Sequence, residues 1–194
     1  MRRSMSWLLT GVLSVVIVGM ARPAAAQDDA PKVEVAGGWN YIAARSQATD
    51  TWEHLYRGGF GEVAVNLNNR WGAVGIVAYD QKTIAEIEGD FKLQVLPYLF
   101  GVRYCNRNQA EKATPFLHGL VGATRFKGEL GSDSATETAF TWQVGGGVNI
   151  PINSRVFARA GGDYMHIHGK DNGDLTGGEA VQGLRLSAGV GVGF

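Results

Sequence analysis

Two histidines near the end of the chain have the spacing of a metal-binding pair. His166 and His168 are two residues apart, so on an extended strand both imidazoles lie on one face. Asp171 and Asp174 follow shortly after and would add carboxylate ligands. The same four residues also fit an ordinary polar strand end, which is the commoner case. We therefore expect no metal site.

A second possible chemistry is nucleophilic catalysis by serine, histidine and an acid. Glu53 and His54 are adjacent, His168 lies near the other end of the chain, and several serines occupy predicted loops. None of these residues has a spacing typical of a catalytic set, so we expect no enzymatic activity. The consecutive glycines at 145–147 are not followed by a helix signal, so they do not form a phosphate-binding loop. They predict close backbone packing, and we expect no cofactor.

The composition narrows the class of protein. The chain has 194 residues, with 18 Lys and Arg against 18 Asp and Glu, 28 Gly and one Cys. The balanced charge gives no basic surface for nucleic acid, and a single Cys excludes a disulfide scaffold. A multi-span helical membrane protein is excluded because only one long apolar run is present. Abundant glycine together with aromatic residues favours β-structure.

The start of the chain has the three parts of a secretory signal peptide. Arg2 and Arg3 form a positive start, an apolar stretch covers 7–20, and small residues at 24–26 form a cleavage site. An uncleaved anchor helix is the alternative, but the apolar stretch is too short to favour it. The predicted division is a signal peptide at 1–26, a short polar lead at 27–31 and a folded domain at 32–194.

After the polar lead the chain alternates with a period of two, and no stretch shows a sustained helical period. The last segment is the clearest, because at 184–194 every even position is apolar and every odd position is Gly, Ser or Arg. Segment 140–150 alternates in the same way. The predicted strands cover 32–45, 57–67, 71–82, 91–105, 114–127, 138–150, 155–167 and 183–194.

The predicted connections alternate in length. A set that is longer on average, and rich in polar residues, covers 46–56, 83–90, 128–137 and 168–182. The shorter set covers 68–70, 106–113 and 151–154. Consecutive antiparallel strands would place the two sets at opposite ends of the sheet.

The two faces of the predicted strands differ in chemistry. One face carries aromatic and aliphatic residues, whereas the other carries Gly, Ser, Asn and Gln with few charges, which suits a narrow interior. Strands of about ten residues with apolar side chains outward and aromatic residues near their ends are typical of a membrane barrel. In lipid, only helices and closed barrels satisfy every backbone hydrogen bond. The sequence thus predicts an all-β fold, an eight-stranded antiparallel up-and-down transmembrane β-barrel.

The sequence does not show which face points inward in three of the predicted strands, at 71–82, 91–105 and 114–127. In the first of these strands, both faces are about equally apolar. In the second, Gln94 and Arg103 suggest opposite parities, and a bulge at Pro97 would switch the face. In the third, His118 and Arg125 conflict in the same way.

Polar residues of inward parity predict a network that fills the lumen. Eight strands leave an interior just wide enough for side chains. The predicted last hairpin places Asp163 roughly opposite Ser187, so Arg185 lies on the diagonal and within reach of Asp163. Closure through the first and last strands brings Asn40 near Arg185, and the first hairpin brings Glu62 near Asn40. Gln143 falls near Asp163. An unpaired buried charge is costly, so Arg185 is expected to balance Asp163 and Glu62. The predicted network comprises Asn40, Glu62, Gln143, Arg159, Asp163 and Arg185.

The alternation at 140–150 also predicts how substitutions act. Val144 has outward parity, so an arginine there would face lipid and be costly. Gly145 has inward parity, so Gly145→Ser is expected to be tolerated apart from local crowding.

The folded domain resembles the outer membrane protein β-barrel family, the small eight-stranded barrels such as OmpX and the N-terminal domain of OmpA. The most specific part is the last strand, where Phe194 is preceded by apolar residues at alternate positions. It looks like the family's C-terminal assembly signal, which would comprise Leu186, Ala188, Val190, Val192 and Phe194. Ala188 departs from the pattern, because that position usually carries a bulkier residue.

The resemblance implies a location and partners. The expected location is the cell outer membrane, and the expected partners are membrane lipid, periplasmic chaperones and the barrel-assembly machinery, which would contact the C-terminal strand. We expect a monomer with a lumen plugged by polar side chains and a structural, envelope-integrity or surface-contact role. The alternatives are a soluble secreted, lipocalin-like barrel with a small ligand, and a small channel.

Overall fold

A computed structural model of the chain describes residues 30–46, 52–86, 89–108, 112–130, 133–169 and 180–194. Its strands are β1 (Val33–Ser46), β2 (Trp52–Asn66), β3 (Trp71–Glu86), β4 (Gly89–Cys105), β5 (Thr114–Leu130), β6 (Asp133–Pro151), β7 (Val156–Ile167) and β8 (Val181–Gly193). Each strand pairs antiparallel with the next along the chain, and β1 pairs with β8 to close a barrel. The predicted eight-stranded up-and-down barrel is confirmed.

Side chains alternate between the outer surface and the interior because successive residues of a strand point to opposite faces. In β8, Arg185 is buried, whereas Leu184 and Leu186 are 50% and 57% exposed. Large aromatic residues such as Trp39 and Phe140 likewise lie on the outer surface. The outer surface is thus apolar and much of the interior is polar, which is the reverse of a soluble barrel.

The structure assigns the three strands whose faces the sequence left open. In β3 the aliphatic residues Val74 and Ile76 face the interior, and in β4 Leu99 and Arg103 both do. Five interior residues form a cluster, named here the inner apolar cluster, which comprises Ala64, Val74, Ile76, Leu99 and Leu120. Part of the lumen is therefore apolar, which removes the contrast between the faces of these strands.

The bulge considered at Pro97 is not found. The register of β4 with β5 runs without a shift from Phe91–Leu130 to Cys105–Phe116, and Pro97 points inward. In β5, His118 is buried and Arg125 is exposed, so the inward residues keep one parity along the strand. The one shift in the described pairings lies between β1 and β2, where β2 has an extra residue between Leu55 and Gly58.

Three of the predicted longer loops are mostly strand. β3 and β4 remain paired to Glu86 and Gly89, and β5 and β6 to Leu130 and Asp133, within the loops predicted at 83–90 and 128–137. β2 likewise begins at Trp52, inside the loop predicted at 46–56. Strands of 16 to 19 residues are longer than the roughly ten residues that span a membrane. The part of each strand outside the membrane can therefore carry polar residues on both faces. Without apolar alternation, these extensions have the composition of loops.

The barrel has two different ends. The end named here the turn end holds the connections β2–β3, β4–β5 and β6–β7, together with the start of β1 and the end of β8. The end named here the loop end holds the other four connections. At the loop end, a second group of interior residues forms the loop-end apolar cluster, which comprises Ile42, Val95, Phe126, Ala139, Met165 and Ile167.

Candidate functional site: the polar interior of the barrel

The interior near the turn end is filled by charged side chains. Glu62 is buried and accepts hydrogen bonds from the guanidinium groups of both Arg103 and Arg159. Glu34 Oε1 lies 2.5 Å from Arg107 Nη2, and Glu34 Oε2 lies 3.5 Å from Arg103 Nη1 and 3.6 Å from Arg159 Nη2. These five residues, here called the turn-end charge cluster, join β1, β2, β4 and β7 and the start of the β4–β5 turn across the lumen.

Neighbouring residues hold the turn-end charge cluster in place. Asn66 Nδ2 donates to Glu34 Oε1 at 2.9 Å, and Arg159 Nε donates to Asn149 Oδ1 at 2.8 Å. The guanidinium carbons of Arg103 and Arg159 each lie 4.8 Å from the ring centroid of Phe116. A cation near an aromatic ring is attracted to the ring face, so one phenyl group supports two of the arginines.

A second polar group lies nearer the loop end and centres on Asp163. His118 Nε2 lies 2.7 Å from Asp163 Oδ1, while Arg185 donates to Oδ2 from Nη2 at 2.9 Å and from Nε at 3.1 Å. All three residues are buried. Both oxygens of the carboxylate are thus engaged, and β5, β7 and β8 are tied together.

Two further side-chain hydrogen bonds cross the interior. Asn40 Nδ2 donates to Asp80 Oδ1 at 2.7 Å, and Thr141 Oγ1 donates to Thr124 Oγ1 at 2.8 Å. All four residues are fully buried. The Asn40–Asp80 contact passes over Gly58, where an added Cβ would overlap the carboxylate of Asp80. The absence of a side chain at Gly58 therefore makes room for this bond.

The six residues predicted for the lumen network all point inward, but they do not form one group. Asp163 meets Arg185, whereas Glu62 and Arg159 meet in the turn-end charge cluster. Asn40 bonds Asp80, and the amide atoms of Gln143 have no hydrogen-bond partner among the described residues. The lumen thus contains separate polar groups with apolar residues between them.

The structure differs from two of the predicted pairings. Asp163 lies directly opposite Arg185, and Ser187 pairs with Gly161 instead. Glu62 pairs with Ala36, four residues along β1 from Asn40, so it is not shared with Arg185. The charge of Arg185 is balanced by Asp163, and Glu62 is balanced by the two arginines of the other group.

Several side chains of the interior polar groups were not predicted from the sequence. They are Glu34, Asp80, Arg107, Arg103 as a partner of Glu62, and His118 as a partner of Asp163. Glu34 has the same parity in β1 as Asn40, so the sequence alone could have assigned it to the interior. Asp80, Arg103 and His118 lie on the three strands whose faces the sequence did not reveal.

The expectation that serine is tolerated at position 145 is wrong. Gly145 has the predicted inward parity, but an added Cβ would overlap Asp163 Oδ1 and lie 2.6 Å from the carbonyl oxygen of Gly162. The glycine is required by the close approach of β6 to the Asp163 side chain.

The candidate metal and catalytic residues are only partly described. His166 stacks on Trp142 with ring centroids 5.4 Å apart, and His168 lies 4.7 Å from His166. The possible acidic ligands at 171 and 174, and the side chains at 53 and 54, lie outside the described residues. Within the described part of the chain, no three His, Cys, Asp or Glu residues are grouped as metal ligands. No helix there is long and apolar enough to span a membrane.

The barrel geometry agrees with a sequence family. Residues 11–194 match the outer membrane protein beta-barrel domain family. The chain belongs to this family. A comparison with curated proteins gives no significant match. In outer-membrane barrels generally, the apolar outer surface faces lipid, the short turns face the periplasm and the longer loops face outward.

Two proteins with solved structures have similar folds. Neisserial surface protein A is 21% identical, with a TM-score of 0.67, over 85% of this chain and 99% of that one. A structure of Ail, the attachment invasion locus protein of Yersinia pestis, was solved in complex with the heparin analogue sucrose octasulfate. That protein is 17% identical to the present chain, with a TM-score of 0.55 over 85% of this chain and 99% of that one. A second structure of Ail is 19% identical, with a TM-score of 0.54 over 84% and 99%. At these identities the likeness concerns the fold, and this protein is an outer-membrane β-barrel.

Proposed function

We propose that this protein is a non-conducting outer-membrane barrel with a structural or surface-contact role and no enzymatic activity. The observation that carries the proposal is the layering of the interior. The turn-end charge cluster, the inner apolar cluster and the loop-end apolar cluster all lie within the barrel. Apart from the partly buried Arg107, each layer consists of buried side chains contributed by several strands.

The layers oppose ion passage for two different reasons. In the turn-end charge cluster, an ion would have to separate Glu62 from both of its arginines, and breaking a buried pair costs several kcal/mol. In the loop-end apolar cluster, Phe126 and Met165 are 8% and 2% exposed, so an ion would have to shed its water among apolar atoms. An open channel would need a continuous water-filled path through both the turn-end charge cluster and the loop-end apolar cluster.

Planar-bilayer recording of the purified, refolded barrel tests the closed lumen. We expect the wild-type protein to show no steady porin-like conductance. A Phe126→Ala/Met165→Ala variant should stay closed, because the turn-end charge cluster is intact, and Val121→Ala on the outer surface is the control. Large, steady conductance from the wild-type monomer would show that the protein is a channel and contradict the proposal.

The strand lengths support a role in surface contact. β3, β4, β5 and β6 have 16, 17, 17 and 19 residues, whereas β1, β2, β7 and β8 have 12 to 15. Among the described strands, those of the two long hairpins therefore extend furthest at the loop end. Cells that display the barrel should adhere to host-cell surfaces, and shortening both hairpins by paired residues should reduce adhesion. Equal adhesion would leave the structural role as the proposal.

Export and assembly belong to the same proposal. A signal peptide at 1–26 would direct export of the chain and then be removed. Periplasmic chaperones and the barrel-assembly machinery would receive the remaining chain. The outward side chains of Leu186, Val190 and Phe194 are 57%, 59% and 54% exposed on the strand that closes the barrel, which supports recognition there. Because every strand is paired within one chain, a monomer needs no partner to complete the sheet.

A further inference from the structure

A large cavity opens at the turn end, below the turn-end charge cluster. Its volume is 1080 Å³, and the three turns and the residues before β1 surround it. Every turn contributes a cationic side chain to the lining. Arg70 comes from the β2–β3 turn, Arg107 and Lys112 from the β4–β5 turn, and Arg155 from the β6–β7 turn. The mouth of the barrel on this side is therefore ringed by positive charge.

Two of these arginines are presented by the same kind of turn. Asn68 Oδ1 accepts hydrogen bonds from the backbone N–H groups of Arg70 and the next residue, both at 2.8 Å. Asn153 Oδ1 does the same for Arg155 and the next residue, at 2.9 and 2.8 Å. An asparagine that bonds its own backbone fixes a tight turn. Both turns thus hold an arginine at the rim of the cavity.

The positive charge at the mouth is only partly neutralised by the described residues, because Glu34 pairs with Arg107 alone among the cations of the lining. Glu34 is the one acidic residue of the described lining, and its carboxylate is already engaged by Arg107 and Asn66. Arg70, Lys112 and Arg155 form no ion pair with any residue that the structure describes. The turn-end charge cluster adds to the excess, because it holds three arginines and two glutamates.

Arg107 lines the cavity and is not fully satisfied by Glu34. Its Nη1 has no hydrogen-bond partner among the described residues. Guanidinium groups bind phosphate and carboxylate oxygens through paired N–H donors. A ligand with several oxygens and more than one negative charge matches several cations around one cavity better than a single carboxylate does.

We propose that the turn-end cavity binds a phosphate-bearing anion on the periplasmic side of the membrane. Arg70, Arg107, Lys112 and Arg155 would contact its oxygens, and the neutral side chains of Asn69 and Ser154 line the same cavity. Its volume of 1080 Å³ slightly exceeds the roughly 300–1000 Å³ typical of ligand pockets. The phosphate would come from a soluble compound or from a phospholipid headgroup.

Isothermal titration of the refolded full-length barrel with pyrophosphate, in a zwitterionic detergent at low salt, tests the site. We expect saturable binding that weakens by about tenfold or more in Arg70→Gln/Arg155→Gln, since each lost charged hydrogen bond is worth roughly tenfold in affinity. The backbone bonds of the two turns do not use these side chains, so the variant should fold. Lys32→Gln/Arg125→Gln removes two exposed cations outside the cavity and should bind like the wild type.

Several outcomes would overturn the proposal. Among them are no binding to the wild type, and equal weakening in both variant pairs, which would indicate unspecific attraction. The acidic residues at 28, 29 and 111 lie outside the described part of the chain. Binding that appears only in Asp28→Asn/Asp29→Asn would show that the chain occupies its own cavity, and no external ligand would then be needed.

The source of the phosphate is decided by a second arm. The titration is repeated with the barrel in nanodiscs of neutral lipid and in nanodiscs that contain an anionic phospholipid. If the natural ligand is a headgroup, the anionic lipid competes and the apparent affinity for pyrophosphate falls in the wild type more than in Arg70→Gln/Arg155→Gln. If the ligand is soluble, the apparent affinity for pyrophosphate is the same in the two kinds of nanodisc when the ionic strength is matched.

Discussion

Arg185 and Asp163 face each other directly across the β7–β8 pair, inside the barrel. Two nitrogens of the guanidinium group lie 2.9 and 3.1 Å from the same carboxylate oxygen, and His118 engages the other oxygen. Both members of the pair are buried, at 2% and 5% exposure. Because a buried charge is tolerated only when it is compensated, neither residue can be removed alone without cost.

The first prediction concerns this pair. Arg185→Ala should lower the free energy of unfolding by about 3–5 kcal/mol, because Asp163 loses its cationic partner in a buried site. Denaturant unfolding of the barrel refolded into lipid vesicles measures the change. Arg125→Ala removes an exposed arginine of β5 and should change stability by less than about 0.5 kcal/mol. Equal effects of the two substitutions would show that the pair does not stabilise the barrel.

The second prediction compares two glycines of β2. Gly58→Ala should destabilise the barrel by about 1–3 kcal/mol, because the methyl group would displace the Asp80 carboxylate and lie near Asn40 Nδ2. Gly61→Ala is the matched control, since nothing lies within 4 Å of a Cβ there. The same unfolding experiment separates them, and the prediction fails if Gly61→Ala is the more damaging.

A third prediction contrasts Gly145 with Gly119, which lies in the neighbouring strand. Gly145→Ser should be destabilising, because a side chain would collide with Asp163 and with the backbone of β7. Gly119→Ser should be tolerated, because no atom lies within 4 Å of its added Cβ. Vesicle refolding yield and unfolding midpoint report the difference. Tolerance of Gly145→Ser would mean that Asp163 can move without losing its partners.

The fourth prediction concerns the lipid-facing surface. Val144 is 49% exposed on the outer surface of β6, so Val144→Arg should cost about 2–4 kcal/mol at the bilayer midplane. Ile152→Arg lies in the β6–β7 turn and should cost little, because a residue there reaches water. The two variants are compared by unfolding from vesicles. A harmless Val144→Arg would argue that this surface does not face lipid.

The fifth prediction separates assembly in the cell from stability. Deletion of Phe194 should reduce the amount of barrel in the outer membrane while leaving refolding into detergent nearly unchanged. Phe140→Ala removes another exposed aromatic side chain from the outer surface and serves as the control. Fractionation of expressing cells, with a gel that compares heated and unheated samples, measures both. A wild-type yield after the deletion would contradict the assembly signal.

The fold could be predicted because some strands have strongly different faces. In β8, glycine and Arg185 alternate with leucine and valine, so the inward parity is evident from the sequence. In β3, Val74 and Ile76 enter the inner apolar cluster while Val77 faces outward, so both faces are aliphatic. Alternation identifies such a strand without showing which side is inside.

The polar groups could be predicted less well than the strands that carry them. Charged residues of inward parity were evident, but their partners depend on the register of each hairpin. A difference of two residues replaces Ser187 by Arg185 opposite Asp163. The extra residue of β2 near Gly58 shifts the pairing with β1 at the loop end, and no turn residue in the sequence announces it.

The pairing of β1 with β8 fixes the order of events during assembly. Residue pairs from Glu34–Gly193 to Ser46–Val181 join the two ends of the domain, so the seam cannot form before the whole chain has been delivered. Until then the sheet has two open edges, whose unpaired N–H and C=O groups invite pairing with other chains. Contacts between such distant segments also form slowly. Once formed, the seam between β1 and β8 protects the barrel from aggregation. Before it forms, the nascent chain needs shielding from other chains.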